Sequence, residues 1–392
     1  MLTENLLDRM DKDMARWTKC RIGDMCMTNS QSYSPKEGWT FVNYLDTGNI
    51  TKNVVDEIQY IDLACEKLPS RAKRKVQYDS VLFSTVRPNQ LHYGIVKSQP
   101  ENFLVSTGFA VLDADPKKLN PNYLYYLLSS NEIVEGLHAI AEQSVSAYPS
   151  IKPSDIENLE VDIPDLETQR KIAAILMGID EKIQINTSIN KNLMEQASVL
   201  YKAWFEDFIL FNGLCPPMWK QGVLADIANI TSGKRPPVKS AVKTDTAVIP
   251  IVGAASVMGY TSEANHTDKI LVTGRVGTHG VVQRFESPCW TSDNTLVITS
   301  DVYEYTYQIL QRIDYHSMNR GSTQPLITQG DMNKVSVLIP DQETLNEYET
   351  LVGQLMKQYQ ANILENNKLS EMRDTLLPRL MSGELDVSGI DF

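Results

Sequence analysis

The 392-residue sequence lacks any apolar run close to the roughly 18 to 20 residues that a membrane helix needs. Its first residues, MLTENLLDRM, also lack a basic region followed by an apolar stretch, which a secretory signal would show. Hydrophobic residues nevertheless make up 42% of the chain, enough for two or three domains with cores of their own. We therefore expect a globular cytoplasmic protein with no membrane partner.

Cysteine and histidine are both scarce, with five residues of each. The cysteines form no Cys-x-x-Cys pair and do not cluster with the histidines, so we expect no metal site. We interpret the thiols as buried or idle. They are Cys20, Cys26, Cys65, Cys215 and Cys289.

The glycine motifs of nucleotide-binding enzymes are missing as well. Gly233-Lys234 lacks the earlier glycine of a phosphate loop, and glycines 274, 277 and 280 do not have the spacing of a dinucleotide fingerprint. The tetrad Asn120-Pro121-Asn122-Tyr123 resembles the Asn-Pro-Pro-Tyr/Phe loop of adenine methyltransferases, but its third residue differs. We interpret it as a helix cap and predict no catalytic residue in this chain.

Basic charge is in short supply overall, since the net charge is −12, which at first argues against a nucleic-acid partner. The excess acid is uneven: −5 for residues 1–164, −2 for 165–211, +1 for 212–340 and −6 for 341–392. Two basic clusters stand inside the first and third segments. They consist of Arg71, Lys73, Arg74 and Lys75, and of Lys234, Arg235, Lys239 and Lys243.

An internal repeat is the strongest feature that the sequence does contain. A shift of 176 residues aligns the end of each half without a gap, so that SIKPSDIENLEVDIPDLET (150–168) faces LITQGDMNKVSVLIPDQET (326–344). Upstream the match becomes patchy, with LFSTVRP (82–88) facing LVTGRVG (271–277) at a different shift. We infer a duplicated unit, a globule followed by a long helix, whose globules have diverged.

Each copy ends in a strand-like segment stopped by proline, followed by an acidic first turn that favours a helix start. Large side chains then recur three and four residues apart, which is a heptad seam. In the first helix the predicted seam is Ile172, Leu176, Ile179, Ile183, Asn186, Asn190, Leu193, Leu200 and Trp204. In the second helix it is Val352, Leu355, Tyr359, Asn362, Asn366, Leu369 and Leu376, with Arg373 interrupting one end.

Helices of roughly 40 residues with one narrow apolar stripe need a partner. Because a globule of only about 130 residues lies between them, we predict that they pair antiparallel as a coiled coil, with the asparagine layers meeting at the middle. A polar notch that faces water is the alternative for these asparagines.

The globules, 1–164 and 212–340, show mixed α and β signals, with an amphipathic helix predicted at 122–140 and at 302–316. Their loops are rich in residue types that bond phosphates and base edges. Solvated surface charge, structural ion pairs or plain turn chemistry are the alternatives. The candidate DNA contacts are Arg71, Lys73, Arg74, Lys75, Arg87, Asn89, Lys234, Arg235, Arg275, Thr278, His279, Arg320, Ser322, Thr323 and Gln324, with Arg87 and Arg275 placed at matching positions after their strands.

Several segments resemble one known family. IPDLETQRKIAAILMGIDEKIQINTSINKNLMEQASVLYKAWFEDF (163–208) is similar to the central region of type I restriction-modification specificity subunits, and LLPRLMSGELDV (376–387) to their C-terminal signature. PPMWKQGVLADI (216–227) and RWTKCRIGDM (16–25) resemble the entries to their two target recognition domains.

The resemblance implies an α+β fold in which two mixed α/β target recognition domains, 1–164 and 212–340, are joined by long helices within 165–211 and 341–392. Each domain would read half of a bipartite DNA site, and the helices would act as spacer and docking surface. Implied partners are double-stranded DNA, two methyltransferase subunits and restriction/translocase subunits, in a prokaryotic cytoplasm. S-adenosylmethionine, ATP and Mg would belong to those subunits, and this chain would direct adenine methylation and restriction without catalysing either.

Two departures from the repeat put symmetric docking in doubt: Leu345 stands where the first half has Gln169, and Arg373 where it has Ala197. Two other functional classes also remain open. One is a protein scaffold, which the net acidity favours, and the other is a self-contained methyltransferase, against which the missing cofactor motif counts.

Overall fold

The structure is a computed structural model, and it describes residues 17–143, 149–278, 280–318 and 326–390. The chain divides into two compact units. Unit 1 consists of residues 1–185 and 365–392, and unit 2 of residues 186–364. Each unit thus combines one globule with a segment of each long helix, whereas the predicted domain boundaries separate helices from globules. Those boundaries stay a prediction.

The first globule is built on two four-stranded sheets, with strand orders β6-β3-β10-β7 and β2-β11-β8-β9, plus the pairs β1-β12 and β4-β5. Its strands are β1 Thr18–Arg21, β2 Cys26–Thr28, β3 Phe41–Leu45, β4 Ile50–Thr51, β5 Val54–Val55, β6 Gln59–Asp62, β7 Ala72–Arg74, β8 Val81–Ser84, β9 Tyr93–Ile95, β10 Phe103–Ser106, β11 Phe109–Ala114 and β12 Glu160–Ile163. Within the sheets β10 runs parallel to β3, and the other strand pairs are antiparallel.

Alternation along these strands produces two core layers, because successive side chains point to opposite faces. In β8, Val81 and Phe83 face the helices, while Leu82 packs with Phe109 and Val105 in a separate buried cluster. A third cluster, which includes Val42, covers other residues of the β3 sheet. Helices therefore cover one face of the β8 sheet, and the β3 sheet packs on the other.

The second globule repeats this plan. Its sheets have the orders β14-β20-β17-β18 and β16-β15-β19, plus the pair β13-β21. The strands are β13 Lys220–Val223, β14 Asn229–Ser232, β15 Ile249–Val252, β16 Val257–Thr261, β17 Ile270–Gly274, β18 Gln283–Phe285, β19 Trp290–Thr291, β20 Thr295–Thr299 and β21 Ser336–Ile339. As in the first globule, one parallel pair, here β15 with β19, interrupts an otherwise antiparallel arrangement.

The helices of the first globule are α1 Pro121–Ser129, α2 Asn131–Glu142 and α3 Pro153–Glu157, and those of the second are α5 Tyr303–Arg312 and α6 Gln329–Asn333. The prediction of one helix over 122–140 is wrong. Ser130 adopts an extended backbone with ψ of 143°, and its hydroxyl donates to the Leu127 carbonyl at 2.8 Å. This serine ends α1 and starts α2 in a new direction. Likewise α5 ends at Arg312, four residues before the predicted end.

The two long helices are α4 Leu166–Phe205 and α7 Gln342–Met381, each 40 residues long and offset by the 176 residues of the repeat. Both begin in the same way. Asp165 accepts the Thr168 N–H at 3.0 Å, and Asp341 accepts the Thr344 N–H at 3.0 Å. The strand before each helix pairs with the first strand of its globule, with Val161 opposite Cys20 and Val337 opposite Gly222. The predicted duplication is thus present in hydrogen-bond detail.

Within unit 2 the helices pair antiparallel through a buried polar layer. The Asn362 amide donates to the Asn190 side-chain oxygen at 2.8 Å, and Asn190 donates to the Tyr359 carbonyl at 3.2 Å. Asn186, Asn190 and Asn362 are 1%, 8% and 3% exposed, so they do not form a notch that faces water. The amides meet one another because each would otherwise be buried without a partner.

Within unit 1 the other ends of the same helices also run antiparallel. The Asn366 amide donates to the Ile183 carbonyl at 3.4 Å, and Arg373 forms an ion pair with Asp180 at 2.8 Å. Arg373 therefore fits its position on the seam by pairing across the helices. All sixteen predicted seam residues are buried or half-buried. Among the described residues, no helix has both the length and the apolar character needed to span a membrane.

Candidate nucleic-acid interface

In the first globule, the candidate contacts gather around the turn between β10 and β11. The Thr107 N–H donates to the Arg71 carbonyl at 2.8 Å, and the Thr85 N–H donates to the Gly108 carbonyl at 2.8 Å. These bonds place the start of β7, the 107–108 turn and the segment after β8 side by side. We call this group, residues 71–73, 85–89 and 107–108, the first rim.

The basic cluster at 71–75 divides into two kinds of residue. Arg71 and Lys73 are exposed. Lys75 forms an ion pair with Glu37 and its ammonium lies 5.2 Å from the centre of the Trp39 ring. Arg74 is partly buried, and this burial lowers the pKa of its guanidinium. Arg71 and Lys73 are therefore the members free to meet phosphates.

Arg87 occupies a strained backbone position. Its φ is +47°, in the left-handed region that a residue with a side chain rarely adopts. The Arg87 N–H donates to the Pro149 carbonyl at 2.9 Å, which fixes the turn against the segment before α3. Arg87 itself is half-buried, and Asn89 two residues later is exposed. Such conformations cluster at functional sites, because other contacts must hold them in place.

The second globule gathers its candidates at the corresponding turn, between β19 and β20. The Arg275 N–H donates to the Asn294 carbonyl at 2.8 Å, and the Lys234 N–H to the Thr291 carbonyl at 2.9 Å. The Trp290 indole in turn donates to the Lys234 carbonyl at 2.8 Å. Lys234 and Arg235 are exposed and Arg275 is half-buried. We call residues 233–235, 274–278 and 290–294 the second rim.

Glycine shapes the second rim. A Cβ atom on Gly274 would lie against the Thr278 carbonyl oxygen, and one on Gly233 against the Ser292 carbonyl oxygen. The chain segments therefore approach more closely than a side chain would allow. Thr278 is exposed at the tip of the 274–278 loop. His279, Arg320, Ser322, Thr323 and Gln324 lie outside the described residues.

The predicted correspondence between Arg87 and Arg275 is wrong. The Ile151 N–H donates to the Thr85 carbonyl, and the Ile327 N–H, 176 residues later, donates to the Arg275 carbonyl. Arg275 thus corresponds to Thr85. Insertions between strands change the shift from 176 to 190 here, so a comparison by sequence alone misses the register by two residues.

Sequence reasoning also missed residues that complete the rims. Thr107, Asn294 and the Trp290 ring come from the turns on which the basic residues converge. His266 lies near Lys234, and burial together with that neighbouring charge lowers the pKa of its imidazole. The signal was weak, because these residues sit in short polar turns that resemble ordinary connections. Their matching places after β10 and β19 could have indicated them.

The described residues contain no group of three or more histidine, cysteine, aspartate or glutamate side chains that could hold a metal ion. The predicted cap at the tetrad is confirmed: the Asn120 side-chain oxygen accepts the Asn122 and Tyr123 N–H groups, each at 3.0 Å. Burial raises the pKa of the Cys26 thiol to about 12 and that of Cys289 to about 11. These two thiols are protonated at neutral pH and poor nucleophiles.

The geometry thus defines a duplicated protein in which each globule presents basic and amide side chains around one inter-strand turn. The family model described as the type I restriction modification DNA specificity domain matches residues 14–195 and 216–372, most of the chain. The chain therefore belongs to the family of type I restriction-modification specificity subunits.

Individual relatives agree with the family model. The HindI specificity subunit of Haemophilus influenzae is 24% identical, covering 95% of this chain and 100% of the relative. The MjaIX specificity subunit of Methanocaldococcus jannaschii is 26% identical over 68% of this chain and 69% of its own length. The crystal structure of the type I system S subunit from M. genitalium shares the fold, with a TM-score of 0.59, 18% identity and coverage of 93% and 96%.

Membership of the family settles the functional class. The protein is a non-catalytic DNA-recognition subunit of a type I restriction-modification enzyme. Its two matched domains agree with recognition of a bipartite DNA site. The scaffold and the self-contained methyltransferase are both set aside.

Proposed function

We propose that the first and second rims each read one half-site of a bipartite DNA sequence, and that α4 and α7 set the unread gap between the half-sites. The observation that carries this proposal is the contrast within the repeat. The long helices match residue for residue at one shift, whereas the rims differ in loop length and in side chains. A constant frame with two different readers is what recognition of two unlike half-sites requires.

Specific side chains have different roles in this proposal. Arg71, Lys73, Lys234 and Arg235 are exposed and contact phosphates, which position the protein on the duplex. Asn89, Thr278 and Asn294 carry groups that hydrogen-bond base edges. Arg87 and Arg275 act from half-buried positions beside the turns. The remaining candidates, Arg74, Lys75, His279, Arg320, Ser322, Thr323 and Gln324, keep the contact role that the sequence predicts for them, with Lys75 and Arg74 the weaker ones.

The complete enzyme requires other subunits. Two methyltransferase subunits dock along the long helices and carry out adenine methylation with S-adenosylmethionine. Restriction/translocase subunits that use ATP and Mg then join the complex in the prokaryotic cytoplasm. The target adenine must leave the base stack to be methylated, so DNA distortion belongs to the partner subunits' step.

The test is to produce this chain together with the methyltransferase subunit encoded beside it and to map methylated adenines by sequencing. We expect one bipartite motif with a fixed gap. Replacing residues 212–340 by the same segment of another specificity subunit should change one half-site and leave the other half-site unchanged. A continuous motif, or a change in both half-sites, would contradict the assignment of one half-site to each globule.

A further inference from the structure

In unit 2, helix α5 of the second globule is held at both ends by the long helices. Its first turn is bonded to Glu349 of α7, and its last residue, Arg312, is bonded to α4. Both attachments use charged side chains, and charged hydrogen bonds are directional and short. They therefore fix the angle of the helix as well as its position.

The attachment at the first turn replaces a cap that the first globule supplies by itself. In α1, Asn120 accepts the N–H groups of Asn122 and Tyr123, and Gln169 of α4 accepts the Asn120 N–H at 2.8 Å. The residue before α5 is Val302, which has no side-chain acceptor.

Glu349 of α7 takes over that role in unit 2. Its carboxylate accepts the N–H groups of Glu304 and Tyr305 at 3.0 and 2.8 Å. The departure of Leu345 from Gln169 thus accompanies a transfer of the cap from the globule to the spacer helix. The cap of α5 therefore links the second globule to α7 directly.

The attachment at the last residue uses every donor of one guanidinium. Arg312 Nη2 donates to the carbonyl and hydroxyl oxygens of Ser198 at 3.1 and 3.0 Å, and its Nε donates to Glu206 at 2.8 Å. Its Nη1 donates to the Gln308 carbonyl at 3.1 Å and to the Gln308 side chain at 2.7 Å. The guanidinium also lies 4.2 Å from the centre of the Tyr201 ring, a cation–π contact.

A buried ion pair extends this attachment toward the second rim. Arg284 of β18 donates to both carboxylate oxygens of Glu304, at 2.6 and 2.8 Å, and stacks between Tyr303 and Tyr307 with both ring centres 4.9 Å away. Strand β18 follows the 274–278 loop of the second rim. Charged contacts therefore run from the strand beside the rim, through α5, to both long helices.

We propose that Glu349 and Arg312 are positioning residues that fix the angle at which the second globule presents its rim, and thereby the gap length that the enzyme accepts. The inference rests on the proposed function. One base pair more or less changes the half-site separation by about 3.4 Å and rotates it by about 35° around the duplex. A globule clamped at both ends of α5 cannot follow such a rotation, whereas a globule with one clamp released can.

The experiment measures affinity for three synthetic duplexes that carry the mapped half-sites with the native gap, one base pair fewer and one base pair more. It uses the complex with its methyltransferase subunits, carrying the wild-type chain, Arg312→Ala, Arg312→Lys, Ser198→Ala or Glu349→Ala. Lys202→Ala is the matched control, because Lys202 pairs with Asp207 on the surface and does not contact the second globule.

We expect Arg312→Ala and Glu349→Ala to lower the preference for the native gap about tenfold, while the preference for the base sequence of both half-sites stays unchanged. Arg312→Lys should keep part of the preference, since it retains the charge but not the fork. Ser198→Ala, which removes a single side-chain bond, should give a smaller loss and tests the proposal even where a larger change unfolds the globule.

Two different results would overturn two different claims. A wild-type complex that binds all three gaps equally would refute the proposed function of the helices. A wild-type complex that prefers one gap, together with Arg312→Ala, Glu349→Ala and Ser198→Ala variants whose preference is unchanged or whose affinity for all three duplexes falls equally, would refute the positioning role alone.

Discussion

The buried asparagine pair between α4 and α7 allows a prediction in which two single substitutions and their combination act in opposite directions. Asn362 donates to Asn190, and the Gln358 amide donates to the Asn362 side-chain oxygen at 2.7 Å. Replacing Asn362 by leucine leaves the Asn190 oxygen buried without its donor. Replacing both asparagines by leucine removes the unsatisfied group and gives an apolar layer.

The magnitudes follow from the cost of an unpaired buried polar group. Each single change, Asn190→Leu or Asn362→Leu, should lower the free energy of unfolding by about 1 to 3 kcal/mol. The double change should leave the stability within about 1 kcal/mol of the wild type or raise it, because two buried leucines replace a hydrogen bond that contributes about 1 kcal/mol net. The coupling energy between the two sites should therefore be about 2 kcal/mol or more. Gln358 is exposed, so its amide can turn to water.

Urea titration of the complete chain and its three variants measures these free energies, with helix content followed by circular dichroism. Asn192→Leu is the matched control, because Asn192 is an exposed asparagine on the same helix and should change stability by less than about 0.5 kcal/mol. A double variant destabilised by the sum of the two single effects would refute the reasoning, since it would mean that the amides do not depend on each other.

Three further predictions concern charge and backbone. Burial raises the pKa of Glu349 to about 7, so the folded chain binds this proton more tightly and its free energy of unfolding should fall by at most about 3 kcal/mol from pH 4.5 to 7; Glu349→Gln should flatten that slope in thermal melts. Lys73→Gln should reduce the slope of log affinity against log salt by about 1 in DNA titrations of the complex, and Lys75→Gln should change it less, since Lys75 is already paired. Gly274→Ala should push the Thr278 carbonyl aside and abolish recognition of one half-site in methylation maps, with the other half-site as internal control.

The sequence predicted the frame of this protein accurately. The 176-residue repeat placed α4 and α7 correctly, because long helices depend on local periodicity and their capping residues, Asp165 and Asp341, stand beside them in the chain. The predicted cap at Asn120 rested on the same kind of local signal. Antiparallel pairing followed from connectivity, since the chain between the helices is too short for the alternative.

The structure decided what depends on residues distant in sequence. No local pattern indicated that Glu349 caps α5, that Arg373 pairs with Asp180, or that Arg275 corresponds to Thr85, since each relation joins segments tens to hundreds of residues apart. The break at Ser130 escaped prediction because apolar spacing continues across it. Periodicity specifies a helix and its buried face, whereas the partner of each side chain is fixed only once the chain has folded.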